Sequence, residues 1–242
     1  MKAMILNSGI GKRMGELTKN KPKCMCDIGG GETILSAQLK MLQRAGIREV
    51  VMTTGPFQDI LKGYIAGLAT DMKISYAHNP LYDKTNYIYS MYLARELTDD
   101  DMLLLHGDLV CEQSVIDELC GGTGNLAAVE RGIPLPDKDF KAQIQEGKII
   151  GIGIDRFGDD CVASQPAYRF ERDAFCLWME RIEAFAAADN VNVYAENALN
   201  QLLASEIMLL PMELSGRLCS EIDNPEDRDA VSARFMQIKG DL

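Results

Sequence analysis

Residues 2–25, KAMILNSGIGKRMGELTKNKPKCM, decide how the rest of the chain is read. Lys2 to Asn7 is a short apolar run that predicts a buried strand, and Asn7-Ser8-Gly9 ends it. A glycine- and lysine-rich loop follows, which Pro22 keeps from continuing as a helix. Glycines at 9, 11 and 15 let the backbone approach phosphate oxygens and adopt positive φ, and Lys12 and Arg13 lie among them. The spacing is not G-x-G-x-x-G, because the third glycine comes one place late, and no G-x-x-x-x-G-K-[ST] is present. A phosphate-cradling loop with its own cations fits the composition best. On the glycines alone, a structural tight turn fits as well.

Charge sharpens this. The 242 residues carry 25 Lys+Arg against 36 Asp+Glu, a net −11, which argues against nucleic acid or an anionic membrane as the main partner. Residues 1–25 nevertheless hold Lys2, Lys12, Arg13, Lys19, Lys21 and Lys23 against Glu16 alone, so the acidity lies in the rest of the chain. A basic segment in an acidic protein points to an anionic ligand at that segment. With 47% hydrophobic and 25% charged residues, the composition is that of an ordinary globular protein and excludes disorder or a disulfide scaffold. The seven cysteines form no C-x-x-C pair, and with only His78 and His106 a zinc site has little to draw on. No stretch approaches 18 apolar residues and the N-terminal run is too short for a signal peptide, so the expectation is a cytoplasmic protein without a membrane span.

Outward from the loop, the pattern predicts a helix capped by Thr33 and ending at Gly46, a strand over 49–54, a helix over 57–68, a strand over 73–77, a helix over 86–97 and a strand over 101–106. This alternation predicts a mainly parallel sheet with helices on both faces. Beyond about residue 125, short strands at 125–130, 140–146 and 148–155, the last two joined at Gly147, predict an antiparallel hairpin. Helices near 173–188 and 195–205, a strand at 207–212 and a final helix from about Pro225 complete the chain. The expected architecture is α/β: a Rossmann-like three-layer α/β/α domain over residues 1–242, with a mainly parallel mixed sheet and a small antiparallel β insertion.

Leu6 to Met25 resembles the nucleotidyltransferase signature L-A-A-G-x-G-x-R-M-x-x-L-T-x-x-x-P-K of the MobA-like and sugar-phosphate nucleotidyltransferase superfamily, with Asn7 and Ser8 in place of two alanines. Asn79-Pro80-Leu81-Tyr82 and Asn86-Tyr87-Ile88-Tyr89-Ser90-Met91 are similar to the CTP:phosphocholine cytidylyltransferase branch, and His106-Gly107-Asp108 and Glu221-Ile222-Asp223 extend the match. Residues 130–190 match poorly. The resemblance implies Mg²⁺-dependent transfer of CMP from CTP to a small phosphorylated or phosphonylated amino-alcohol (phosphocholine, phosphoethanolamine or 2-aminoethylphosphonate), with release of pyrophosphate. Residues 1–125 would form the nucleotide-binding half and 126–242 the acceptor-binding half.

By the same resemblance, Lys23 would stabilise charge on the α-phosphate, Arg13 would clamp the outer phosphates, and Asp108 would act in catalysis. Asp108 and Asp223 would hold Mg²⁺, whose preference is for hard carboxylate oxygens. Leu6, Asn7, Ser8, Gly9, Gly11, Lys12, Arg13, Lys23, Asn86 and Ser90 would surround the nucleotide, and Asp137, Asp139, Tyr194 and Glu196 the acceptor. A trimethylammonium group favours an aromatic cage, but the variable region offers Phe140 and Phe157 without a tryptophan, and Trp178 falls on a core helix. Less methylated amines therefore stay open as acceptors. The expected partners are CTP and this acceptor, with no nucleic acid or membrane; a homodimer is left open. Two alternatives remain: a nucleotidyltransferase using UTP, GTP or CTP on a sugar phosphate, and a nucleotide-binding domain without catalysis. A nicotinamide-dependent oxidoreductase is disfavoured by the glycine spacing and the Pro22 break.

Overall fold

The N-terminal apolar run forms β1 (Lys2–Asn7), whose side chains alternate between two cores: Ala3 and Ile5 on one face, Met4 and Leu6 on the other. Burial on both faces explains why the run is uninterrupted rather than alternating. The computed structural model describes residues 1–203 and 205–240. After β1 the chain makes two short 3₁₀ turns (Lys12–Thr18 and Lys23–Met25), then a small hairpin of β2 (Asp27–Gly29) and β3 (Glu32–Thr33). Thr33 caps α1 (Ile34–Arg44) as the sequence predicts: its hydroxyl accepts from the Ser36 N–H at 3.1 Å, and Ser36 Oγ accepts from the Thr33 N–H at 2.9 Å.

β4 (Glu49–Thr54), α2 (Gln58–Ala66), β5 (Lys73–His78), α3 (Tyr87–Ala94) and β6 (Met102–His106) follow in the expected alternation. β4 and β6 flank β1 in parallel, and β5 adds to β4, also in parallel. Then come β7 (Leu109–Cys111), α4 (Gln113–Gly121), β8 (Asn125–Glu130), and the hairpin of β9 (Lys141–Gln145) and β10 (Lys148–Gly153). β11 (Cys161–Phe170), α5 (Arg172–Ala187), α6 (Ala195–Leu199), β12 (Leu209–Glu213), β13 (Cys219–Glu221) and α7 (Pro225–Gly240) complete the chain.

The main sheet has nine strands in the order β5-β4-β1-β6-β11-β8-β12-β10-β9 and is mixed. β11 runs antiparallel to both β6 and β8, and the β9–β10 hairpin is antiparallel as predicted. α3, α5 and α6 cover one face, α1, α2 and α4 the other, and a third core lies between α7 and the segments around Met14 and Ile28.

Several elements depart from the sequence reading. β11 was not expected, because Gln165-Pro166 interrupts it; the strand accommodates Pro166 through a register shift between Ser164 and Tyr168. α4 and the two-stranded ladder of β7 and β13 were also not expected. The helix predicted over 195–205 stops at Leu199, and Ala204 lies outside the described residues. Asn200 ends it by turning its side chain to β10, accepting from the Ile152 N–H at 2.8 Å and donating to the Ile152 carbonyl at 2.7 Å. Among the described residues, no helix is long and apolar enough to cross a membrane.

Candidate active site

The parallel pairing of β1 with β6 brings the glycine loop and the His106-Gly107-Asp108 turn to the same end of the sheet. There the Gly107 N–H donates to the Leu6 carbonyl at 3.1 Å. A Cβ on Gly107 would fall 2.6 Å from the Leu6 carbonyl oxygen, a backbone atom that cannot move aside, so only glycine fits this crossing. The β7–β13 ladder delivers the third segment: Glu221 pairs with Leu109, and the Ile222 N–H donates to the Asp108 carbonyl at 3.0 Å. Asp223 is held from behind by α7, where its N–H donates to Asp227 Oδ2 at 3.0 Å while Asn224 caps the Asp227 N–H at 2.8 Å.

These three segments converge on one ammonium group. Lys23 Nζ forms ion pairs with Asp108 and with Asp223, the latter at 3.0 Å, and Arg13 Nη2 reaches the same Asp223 oxygen at 2.8 Å. Burial works against the charge on Lys23, but the two carboxylates more than offset it and hold the ammonium above its ordinary range. Burial likewise opposes the charge on Asp108, and Lys23 and His106 prevail to keep its carboxyl below the usual range. Glu221 is pushed up by burial and then by the Asp108 charge. Its Oε1 lies 2.9 Å from His106 Nδ1, and this partner overcomes burial to raise His106 to about 9.

A cavity of about 680 Å³ opens over this centre. Its walls include Leu6, Asn7, Gly9, Gly11, Lys12, Arg13, Lys23 and Asn86 from the nucleotide-side set, and Asp137, Asp139 and Tyr194 from the acceptor-side set, with Asp108 and Asp223 at the centre. Asn86 is placed as the cap of α3, its Oδ1 accepting from the Tyr87 N–H at 2.7 Å. Three expected residues do not line this cavity. Ser8 faces an adjoining one of about 360 Å³. Ser90 is buried, its hydroxyl 2.7 Å from Ser8 Oγ and accepting from Asn79 Nδ2 at 2.9 Å. Glu196 is 1% exposed; the Tyr168 hydroxyl donates to one carboxylate oxygen at 3.1 Å and the Tyr87 hydroxyl to the other. It supports the cavity wall from beneath.

Tyr87, His106, Phe140 and Tyr194 form a closed circuit of ring contacts on that wall, with centroid separations of 4.9, 6.5, 5.1 and 5.9 Å in sequence around it. Nothing in the sequence signals the circuit, since its rings come from four separate segments of the chain. Glu221 stands in the Glu221-Ile222-Asp223 motif without a role of its own in the sequence reading; its signal is that residues two apart on an extended segment point the same way as each other. Asp139, whose carboxyl is raised by burial and then by the charges of Asp223 and Asp227, faces the same centre.

The donor set suits a divalent ion. Asp108 and Asp223 present oxygens to one cation position, and Asp108 Oδ1 is buried without a hydrogen-bond partner. His106, Asp108 and Glu221 each offer a ligand atom within 4.8 Å of the others. Hard carboxylate oxygens are what Mg²⁺ prefers.

Residues 2–120 match the family model described as nucleotidyl transferase. Over 135 residues the chain is 35% identical to the CMP-5'-(3-aminopropyl)phosphonate synthase of Streptomyces rubellomurinus, covering 56% of this chain and 21% of that protein. It is 27% identical to the CTP:phosphoglutamine cytidylyltransferase of Campylobacter jejuni, over 94% of this chain and 97% of that one. This chain thus spans about a fifth of the first relative and nearly all of the second. The fold is similar to that of the CTP:phosphocholine cytidylyltransferase from Streptococcus pneumoniae, with TM-score 0.79 and 18% identity, covering 97% of this chain and 98% of that one. The glycine loop leaving β1, the aspartate beyond β6 and the family match through both segments lead to one conclusion: residues 2–120 of the chain are those of a nucleotidyl transferase.

Proposed function

We propose that this protein transfers CMP from CTP to a small phosphorylated or phosphonylated amine, releasing pyrophosphate. The observation that carries this reading is the Lys23 ammonium held between Asp108 and Asp223 under a glycine loop that also presents Arg13. Both reactants are anions, so catalysis depends mainly on neutralising charge and aligning the attacking oxygen with the α-phosphorus. Lys23 would meet the α-phosphate, Arg13 the outer phosphates through its planar fork, and the N–H groups around Gly9 and Gly11 the remaining oxygens. Asp108 and Asp223 would hold Mg²⁺, which supplies further charge neutralisation where the two substrates meet.

The acceptor end supports an amine. Asp137 and Asp139 stand at the cavity wall beside the rings of Phe140 and Tyr194, a combination that suits an ammonium group. Relatives named for aminopropylphosphonate, phosphoglutamine and phosphocholine substrates are in keeping with that class. The test is pyrophosphate release with CTP, Mg²⁺ and a panel of phosphocholine, phosphoethanolamine, 2-aminoethylphosphonate, phosphoglutamine and sugar phosphates. Turnover with CTP on one of the amines is expected. Turnover only with UTP or GTP on sugar phosphates would overturn the reading.

A further inference from the structure

We infer that Gln38 of α1 is a positioning residue for the transfer reaction: it fastens the turn that presents Asp108 to the helical layer. The inference rests on the preceding reading only in giving Asp108 a part in the reaction. Along α1, Leu35, Leu39 and Leu42 are buried in the cluster that also holds Leu105 of β6 and Leu109 of β7. Gln38 falls among them on the same helix face, at i+3 from Leu35 and i−4 from Leu42, and is 1% exposed. A leucine or methionine would continue that stripe. What only an amide provides there is a pair of N–H donors: Gln38 Nε2 donates to the His106 carbonyl and to the Leu109 carbonyl, each at 2.8 Å. These are the last residue of β6 and the first of β7, so one side chain clamps both ends of the Gly107-Asp108 turn.

The other end of the amide shows what the position is kept for. Gln38 Oε1 is buried without a hydrogen-bond partner, an arrangement that costs stability in an apolar core. Turning the amide over would set that oxygen against two carbonyls, so the two donors fix its orientation. The residue serves the turn to the detriment of the core. The turn is also tied at its middle, where the Gly107 N–H donates to the Leu6 carbonyl and the Ile222 N–H to the Asp108 carbonyl. Those ties come from β1 and from the residue after β13, and Gln38 adds the tie from the helices. The Asp108 carboxylate stands two rotatable bonds from this backbone, so a displaced turn moves it relative to its partner Lys23. Displacing a reacting group by about 1 Å can lower a rate on the order of 10²-fold.

Gln38→Met keeps the length and packing of the side chain and removes both donors. With the nucleotide and acceptor that the wild type turns over, kcat should fall about tenfold or more while KM for the nucleotide stays within about twofold. Leu42→Ala opens the same apolar cluster and removes no donor, so it should lower the melting temperature and leave kcat of the folded protein unchanged. Wild-type kcat in Gln38→Met, a rise in KM with kcat unchanged, or an equal loss of kcat in Leu42→Ala would overturn the inference. A second readout needs no turnover. In nucleotide-free protein labelled with ¹⁵N-glutamine, the Gln38 side-chain protons should exchange with water about tenfold or more slowly than those of a solvent-exposed glutamine. Gln38→Asn, whose amide is one methylene too short for the clamp, assigns that signal if Gln38→Met does not fold, and exchange as fast as in the exposed glutamine overturns the inference. Because wild-type turnover selects the substrates, failure of the CMP-transfer reading shows in the wild type, and failure of the positioning role only in the ratio of variant to wild type.

Discussion

The two sides of the cavity, one proposed for the nucleotide and the other for the acceptor, are held by different means. Before residue 125 the site hangs on backbone register. The glycine loop leaves β1, Asp108 follows β6, and the two strands pair in parallel from Lys2–Met102 through Leu6–His106, so neither end can shift without moving the whole ladder. After residue 125, Asp137 and Asp139 sit on a crossover between β8 and β9 that no ladder fixes, and Tyr194 on the segment that enters α6. The Lys141 Nζ pins the crossover by donating to the Pro136 carbonyl at 2.7 Å and lying 4.1 Å from the centre of the Phe157 ring, and Phe140 packs on Tyr194. A site built this way can keep one reaction while its acceptor wall changes by side-chain substitution.

The division concerns the site and not the core, and the largest expected effect tests this. Trp178 is fully buried in α5, donates its indole N–H to the Ala195 carbonyl at 3.0 Å, and belongs to the same apolar cluster as Met4 and Leu6 of β1. Trp178→Ala should cost about 3–5 kcal/mol, and denaturant unfolding should remain a single transition in both proteins. Two separate transitions would show that the halves fold independently.

Next in size is Lys23→Met. It removes the cation shared by Asp108 and Asp223 and should lower turnover by roughly 10²-fold or more. Because Lys23 is assigned to the nucleotide, the loss should be of similar size for every acceptor. A loss confined to one acceptor would move Lys23 to the other side of the comparison.

How much of this could be read in the sequence follows the same line. The strand–loop–strand logic of the first half is local: an apolar run, positively twisting glycines, a proline and a capping Thr33, each with a physical meaning in its own neighbourhood. Asp108 and Asp223 were visible as strand-end acids in motifs. What stayed hidden is what distant packing decides. β11 hides behind Pro166, which breaks the strand pattern although the fold absorbs it in a bulge. Glu196 reads as an exposed helix acid or an acceptor ligand, yet two tyrosine hydroxyls from other elements hold it beneath the cavity wall. The ring circuit of Tyr87, His106, Phe140 and Tyr194 has no sequence signature, because its members lie on four separate segments of the chain.

A third prediction concerns a tie that bears on the nucleotide side from behind. Glu32, 8% exposed in its side chain, accepts from Ser36 Oγ at 2.7 Å and pairs with Lys40 at 2.6 Å and Lys239 at 3.1 Å, fastening α7 to the β2–β3 hairpin. Burial alone would raise its carboxyl, but these partners bring it down to about 2. A depressed carboxyl stabilises the folded state above its unfolded value and loses that contribution as pH falls toward its folded one. Stability should therefore decline between about pH 4.5 and 2. Glu32→Gln should cost about 2 kcal/mol at pH 7 and flatten that acid limb. An unchanged acid limb in the variant would mean that other carboxylates govern it.

The smallest effect is the most discriminating. Asp139 lines the cavity at the end proposed for the acceptor, where the proposed function has it meet an ammonium group. Asp139→Asn should raise KM for an amine-bearing acceptor about tenfold, the worth of one partly exposed charge-assisted contact, with little change in KM for CTP. For an acceptor of the same phosphonate chemistry without the amine, such as ethylphosphonate, the substitution should have little effect. That contrast separates recognition of the ammonium from a general disturbance of the Pro136–Phe140 segment, which would weaken both acceptors alike. A parallel loss for both would put Asp139 in the wall as a structural element and leave the choice of acceptor to the ring circuit, whose Tyr194 and Phe140 face the same space.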